Sequence, residues 1–221
     1  ASSAAERRAA LASRWPLFGL SVRTPRLELR YPTDDDLLAL AALTGDVHDP
    51  ADMPFCTPWT RLPDAERERG TFQFHWRARG ALTADAWELP FVTVVDGEVV
   101  GTQGVLATDW PIRRTVETGS WLHRPRHGEG LGTEMRAAVL HLAFAGLGAQ
   151  RAETEAHEGN RSSQGVNARL GYRPNGDVIG VLDGAPRRYL RFVLDRPDWE
   201  RSRRADIEVL GLDGCRELLG C

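Results

Sequence analysis

The stretch Arg124-Pro125-Arg126-His127-Gly128-Glu129-Gly130-Leu131-Gly132-Thr133-Glu134 decides how this sequence is read. Its glycines at 128, 130 and 132 carry no Cβ, so the backbone can curl and approach a ligand closely. The residues before it, Thr115 to His123, read as a strand. The residues after it, Gly130 to Gly146, read as a helix, with Leu131, Met135, Val139 and Leu142 on one face. A helix start points unpaired N–H groups and a positive dipole end back at the glycines. The junction is therefore an anion site suited to a diphosphate, and Arg124 and Arg126 would add charge-assisted bonds. On the loop alone, a flexible strand-to-helix connection explains the same residues. It is not a P-loop, because no Gly-Lys-Ser/Thr follows and the chain has no lysine. A dinucleotide turn fits poorly: the spacing is G-E-G-L-G, and no acid-ended strand follows.

Outward from this junction, Arg151 to His157 alternates as a strand and Asn160 to Leu170 reads as a short helix. Tyr172 to Leu182 and Arg187 to Leu194 pair as a last hairpin with Gly184 in its turn. On the other side, Leu89 to Val95 and Glu98 to Ala107 form a hairpin about Asp96-Gly97, followed by a proline-containing loop around Trp110 and Pro111. Arg26 to Tyr31 is a short strand with Leu27 and Leu29 on one face. Thr33 or Asp34 caps a helix through Leu43. Gly45 to Pro63 is irregular, since Pro50, Pro54, Pro58 and Pro63 forbid a continuous helix, and a second helix runs from Asp64 to about Arg79. The tail holds a strand-like Ile207 to Leu210 and a candidate final helix. The pattern predicts a mixed α+β domain, a mostly antiparallel sheet with helices on both faces. One domain over residues 1–221 is expected, with extensions at 1–20 and 198–221.

Composition bounds the rest. With 221 residues, 42% hydrophobic and 27% charged, the chain is an ordinary globular one, and a net charge of −3 excludes a global polyion. All 28 basic residues are arginine, which rules out Schiff-base chemistry through lysine and suggests a GC-rich bacterial source. Three cysteines without a CxxC pair argue against a disulfide framework or zinc site and for a reducing cytoplasm. No apolar run has membrane length. Ala1 to Arg14 lacks a signal-peptide core and reads as a short helix or frayed tail.

His127-Gly128-Glu129-Gly130-Leu131-Gly132 resembles the (Gln/Arg)-x-x-Gly-x-(Gly/Ala) loop of the GNAT acyltransferase superfamily. About thirty residues on, Asn160 to Tyr172 (NRSSQGVNARLGY) is similar to that superfamily's Asn-helix-LGF/LGY segment. The likeness in order and spacing runs from about Arg26 to Leu194 and is closest to the RimJ/RimL type, which acetylates ribosomal-protein N-termini and includes small-molecule acetyltransferases. It implies the GNAT fold, a splay between Thr115–His123 and Arg151–His157 for a pantetheine arm, and acetyl-coenzyme A or another acyl-coenzyme A as co-substrate without a metal. The cofactor residues it implies are Leu122, His123, Arg126, His127, Gly128, Gly130, Leu131, Gly132, Thr133, Asn160 and Asn167. One departure is that His127 stands where the family carries Gln or Arg.

Amine acylation needs a base for the ammonium, a donor to the thioester oxygen and an acid for the leaving thiolate. RimL-like sequences carry a glutamate at the place of Glu117, the candidate base; the bland alternative is a solvent-facing strand glutamate. Many GNAT enzymes use a tyrosine as acid seven residues after the helix-start Asn. Here that residue is Asn167, so Ser163, which RimL-like members share, is the candidate acid. Ser163 and Asn160 also fit a plain first turn and N-cap. A backbone N–H near Leu122 would meet the oxyanion. His123 and His157 fit as bases or as surface strand ends, and His48, His75 and His141 show no metal spacing.

The resemblance places the acceptor under Gly45–Arg79 and Asp177–Arg188. Asp52, Phe55, Trp59 and Trp76 are candidate contacts for a cationic amine, whether a peptide N-terminus or a small molecule; a solvated acidic loop over a core cluster is the alternative. The arginines from Arg187 to Arg204 read as a salt-bridged face or as an RNA contact, since some relatives take their acyl group from aminoacyl-tRNA. A non-catalytic acyl-coenzyme A sensor is a third reading. Either a monomer or a homodimer fits.

Overall fold

The computed structural model describes residues 3–221. Its centre is a run of three strands: β3 (Trp87–Val95), β4 (Glu98–Ala107) and β5 (Thr115–Leu122). Asp96 and Gly97 both take positive φ, as the tight β3–β4 turn requires. After β5 the chain crosses through α5 (Leu131–His141) to β6 (Arg151–His157), which lies parallel to β5. A helical crossover is what a parallel neighbour demands. Beyond β6 come α6 (Arg161–Arg169) and the hairpin β7 (Arg173–Leu182) and β8 (Ala185–Asp195). Before β3 lie α1 (Ala4–Ala12), β1 (Ser21–Arg23), β2 (Glu28–Arg30), α2 (Asp34–Leu43) and α3 (Asp64–Gly80). The tail adds α7 (Arg196–Ser202) and β9 (Glu208–Leu210). The described strands make one sheet, β7-β8-β6-β5-β4-β3-β2-β1-β9, antiparallel except for β5 with β6.

Two apolar layers cover the sheet. On one face α5 buries Leu131, Met135, Val139 and Leu140 against Phe91, Val105 and Val116. On the other, Leu37 and Leu40 of α2 pack on Val92 and Val94, with Trp121 and Phe72 at the edge. Thr33 starts α2 with a reciprocal cap: its hydroxyl accepts from the Asp36 N–H and the Asp36 carboxylate accepts from the Thr33 N–H. Asp36 is buried there because Arg8 and Arg30 both pair with it at 2.6 Å.

Several expectations need correction. The strand expected over Arg26–Tyr31 shortens to Glu28–Arg30, because Thr24 N–H closes a turn on the Leu27 carbonyl. That turn creates β1, which the sequence reading missed. The proline-containing loop holds a one-turn helix, α4 (Trp110–Arg113), whose Trp110 is fully buried. The helix expected to reach Gly146 widens after His141 into a π-type turn, Leu142–Gly146. The expected final helix is a single 3-10 turn, Asp213–Cys215, and α7 was not foreseen. Residues 4–12 of the N-terminal stretch form a capped helix; Ala1 and Ser2 lie outside the described residues.

Candidate active site

β5 pairs with β4 from Leu106↔Glu117 to Gly101↔Leu122, and the His123 N–H continues to the Val100 carbonyl at 2.8 Å. Its other edge pairs with β6 only at Thr115↔Arg151, Val116↔Ala152 and Glu117↔Glu153. From Thr118 and Thr154 onward the two strands part. Along this opening the Thr118 and Leu122 carbonyls take side-chain partners, Thr154 and His127, and the backbone groups left over are available to an extended ligand.

The glycine loop sits at the mouth of this gap. Gly128 and Gly130 have φ of +83° and +80°, where a side chain is strained, and Gly130 is the N-cap of α5. Gly132 is ordinary helix, and a Cβ there would only touch Val166 and Leu122 at normal distances. α5 begins without a side-chain cap, unlike α1, α2 and α6. Thr133 and Glu134 N–H groups turn back to the Gly130 carbonyl at 3.2 Å, and those of Gly128 to Gly132 have no acceptor among the described residues. Free N–H donors at an uncapped helix start form a cradle that favours an anion.

Other chain segments hold the cradle in shape. Buried Glu134 accepts from Thr24 Oγ1 at 2.6 Å and Arg26 Nε at 2.7 Å, while Arg26 Nη1 donates to the Glu129 carbonyl at 2.9 Å. Burial works to raise the Glu134 pKa, but the bonds from Thr24 and Arg26 hold it below its ordinary value. Arg26 was not singled out from sequence; its only signal is its place at the start of the resemblance. His127 directs Nε2 to the Leu122 carbonyl at 3.0 Å and its backbone N–H to the Arg124 carbonyl. It braces the loop from the position where the family carries Gln or Arg. Arg126 grips Glu129 at 3.0 Å, and Arg124 pairs with Asp46 at 2.5 Å, so both loop arginines already hold carboxylates.

Strand alternation puts Glu117, Gly119 and Trp121 on the α2 face of the sheet and Thr118, Ser120 and Leu122 on the α5 face. Glu117 is exposed at the parting point and lies within electrostatic reach of Arg191. On its face runs a row of rings: His48 to Phe55 at 5.7 Å, Phe55 to Trp59 at 5.2 Å, and Trp59 to Trp121 at 5.8 Å. Asn160 ties the loop carrying this row to α6, accepting from the Ser163 N–H at 3.0 Å and donating to the Pro54 carbonyl at 3.5 Å. Arg61 pairs with Asp183, joining the same loop to the β7–β8 turn.

The candidates do not all converge. Trp76 stands apart, its indole N–H on Asp34 at 3.2 Å and its ring on Phe72. Asp52 is exposed in the loop. His123 leans toward Asp46 at 3.9 Å. Asn167 is fully buried and neither of its side-chain polar atoms has a partner. The geometry adds Trp121, which closes the aromatic row, and Arg136, one turn past Gly132 on α5. Arg136 is buried, and burial lowers its pKa. Arg188, Arg191, Arg196, Arg201 and Arg204 each pair with a carboxylate, so the arginine-rich end is a salt-bridged face.

Comparison with known proteins agrees with this architecture. The profile of the acetyltransferase (GNAT) domain matches residues 26–173. The fold is similar to Mycobacterium smegmatis RimJ in complex with a CoA disulfide, with TM-score 0.63 and 22% identity over 88% of this chain and 91% of that one. It is also similar to RimL, a ribosomal L7/L12 α-N-protein acetyltransferase in complex with coenzyme A, with TM-score 0.63 and 18% identity over 78% and 95%. A spermidine N-acetyltransferase SpeG chimera from Vibrio cholerae and hSSAT gives TM-score 0.62 and 14% identity over 79% and 98%.

Proposed function

This chain belongs to the GNAT acetyltransferase family, and we propose that it passes an acyl group from acyl-coenzyme A directly to the primary amine of a small molecule or protein N-terminus. The observation that carries this reading is the one-sided pairing of β5. Its unpaired edge opens beside an uncapped glycine cradle, and Glu117 stands at the parting point on the opposite face. Two reactants can then approach one strand from two sides.

The residues fit coenzyme A. We assign the N–H groups of Gly128, Gly130, Leu131 and Gly132 to its diphosphate and the unpaired edge from Thr118 to Leu122 to its pantetheine arm. When bound, coenzyme A supplies an acyl group already activated as a thioester. The chain's task is then proton handling and polarisation. Glu117 accepts the proton of the incoming ammonium, directly or through one water. The Leu122 N–H polarises the acyl oxygen. Ser163 Oγ–H is the proton source for the leaving sulfur, with Asn160 fixing its turn of α6. Phe55, Trp59 and Trp121 offer ring faces to a cationic amine beside Glu117.

Thiol release from acetyl-coenzyme A against peptides, aminoglycosides and polyamines tests the activity and names the acceptor. With the best acceptor, Glu117→Gln should lower kcat about a hundredfold and leave the Kd for coenzyme A nearly unchanged. An equal loss of cofactor binding would remove Glu117 from the base role.

A further inference from the structure

Arg136 forms no ion pair with a carboxylate among the described residues, although it is buried. Its guanidinium instead spans three strands through neutral oxygens: Nε to Gln103 Oε1 on β4 at 3.3 Å, Nη2 to Ser120 Oγ on β5 at 3.1 Å, and Nη1 to Thr154 Oγ1 on β6 at 3.3 Å. The last two bonds reach across the opening just past the final β5–β6 pair. The hydroxyls are oriented by this cation. Thr154 Oγ1 donates its own proton to the Thr118 carbonyl at 3.0 Å, and Gln103 Nε2 donates to the Gly119 carbonyl at 3.1 Å. Ser120 accepts from Arg136, and its proton has no acceptor among the described residues.

A charge buried without a counter-ion is a poor way to stabilise a core, and an apolar side chain on α5 would pack there at lower cost. A second, separate feature points to a polar occupant beside it. Asn167 on α6 is fully buried with both Oδ1 and Nδ2 unpartnered, and it stands five residues before the buried Tyr172, whose hydroxyl interacts with Arg136.

We propose that Arg136 is a positioning residue for the acyl donor: by tying Ser120 to Thr154 it fixes how far β5 and β6 stand apart, and it turns the Ser120 proton toward the gap. Sheet pairing cannot set this width, because pairing has ended by Glu117. A single planar guanidinium with donors in a fixed fork can. The inference rests on the coenzyme A reading above.

The test is calorimetric titration of coenzyme A into the full chain, well below the melting temperatures of all variants. Arg136→Met should weaken binding about tenfold, because the gap loses its fixed width, and Arg136→Lys should recover only part of it. Ser120→Ala keeps the arginine and removes its β5 anchor; it should weaken binding severalfold and guards against an Arg136→Met that does not fold. Leu219→Ala, in the core of the tail, lowers stability without touching the gap and should leave Kd within about twofold. Wild-type Kd in both the folded Arg136→Met and Ser120→Ala variants overturns the inference alone. No binding by the wild type overturns the proposed function and this inference with it.

Discussion

The two edges of β5 obey different rules. Toward β4 the strand is paired along nearly its whole length, and toward β6 it is paired for three residues and then released. The paired edge depends on backbone contact so close that no side chain fits at Gly101, where a Cβ would fall on the Trp121 carbonyl and 2.9 Å from Leu122 Cα. The released edge depends on side chains: Arg136 laces Ser120 to Thr154, and Thr154 Oγ1 donates to the Thr118 carbonyl. Backbone pairing gives rigidity. Side-chain lacing gives a defined opening with unused backbone groups along it. A strand built this way can hold its register on one side while it receives a ligand on the other.

The largest effect comes from breaking the paired edge. Gly101→Ala forces β4 and β5 apart at Leu122 and should lower unfolding free energy by about 3 kcal/mol, read from the denaturant midpoint. An unchanged midpoint would mean that this edge yields as readily as the other.

Next is the released edge's own anchor, the cradle. Gly130→Asp puts a carboxylate where the anion is to bind, in a φ region that aspartate tolerates better than most residues and at an N-cap position it favours. The fold should survive and the Kd for coenzyme A should rise about a hundredfold by calorimetry. A Kd within about threefold of wild type would detach the cradle from the diphosphate. Together the two variants separate stability from binding: one edge carries the first, the other the second.

This asymmetry was partly legible in the sequence. The glycines at 128 and 130 and the Asp96-Gly97 turn are local devices read where they stand, and the cap of α2, narrowed to Thr33 or Asp34, is Thr33. β1 was missed because a three-residue strand carries too little alternation to register. α4 was missed because Pro111 reads as a breaker, although proline suits a helix's first turn. Arg136 was invisible for another reason. An arginine beside an apolar stripe normally reads as solvated, and only three strands brought together by long-range pairing show that it is enclosed. The same holds for Trp121, whose partner Trp59 lies 62 residues earlier in an irregular loop.

The smallest effect probes the paired side from outside. His75 lies in α3, which packs on β3, and is 3% exposed. Burial, aided by the charge of Arg79, pushes its pKa from 6.5 down to about 4. The native state therefore refuses a proton that the unfolded chain accepts. Above pH 6.5 both states are neutral there and stability is unaffected. As pH falls from 6.5 toward 4 the unfolded chain gains protons alone, and stability declines by about 1.4 kcal/mol at pH 5.5. Below about 4 the native imidazole is protonated as well and this contribution stops growing. Denaturant midpoints for wild type and His75→Leu should converge in slope above pH 6.5 and separate below it, the variant staying flatter. Parallel curves would assign the acid sensitivity to the carboxylates of the salt-bridged face and leave α3 and the paired strands beneath it indifferent to pH.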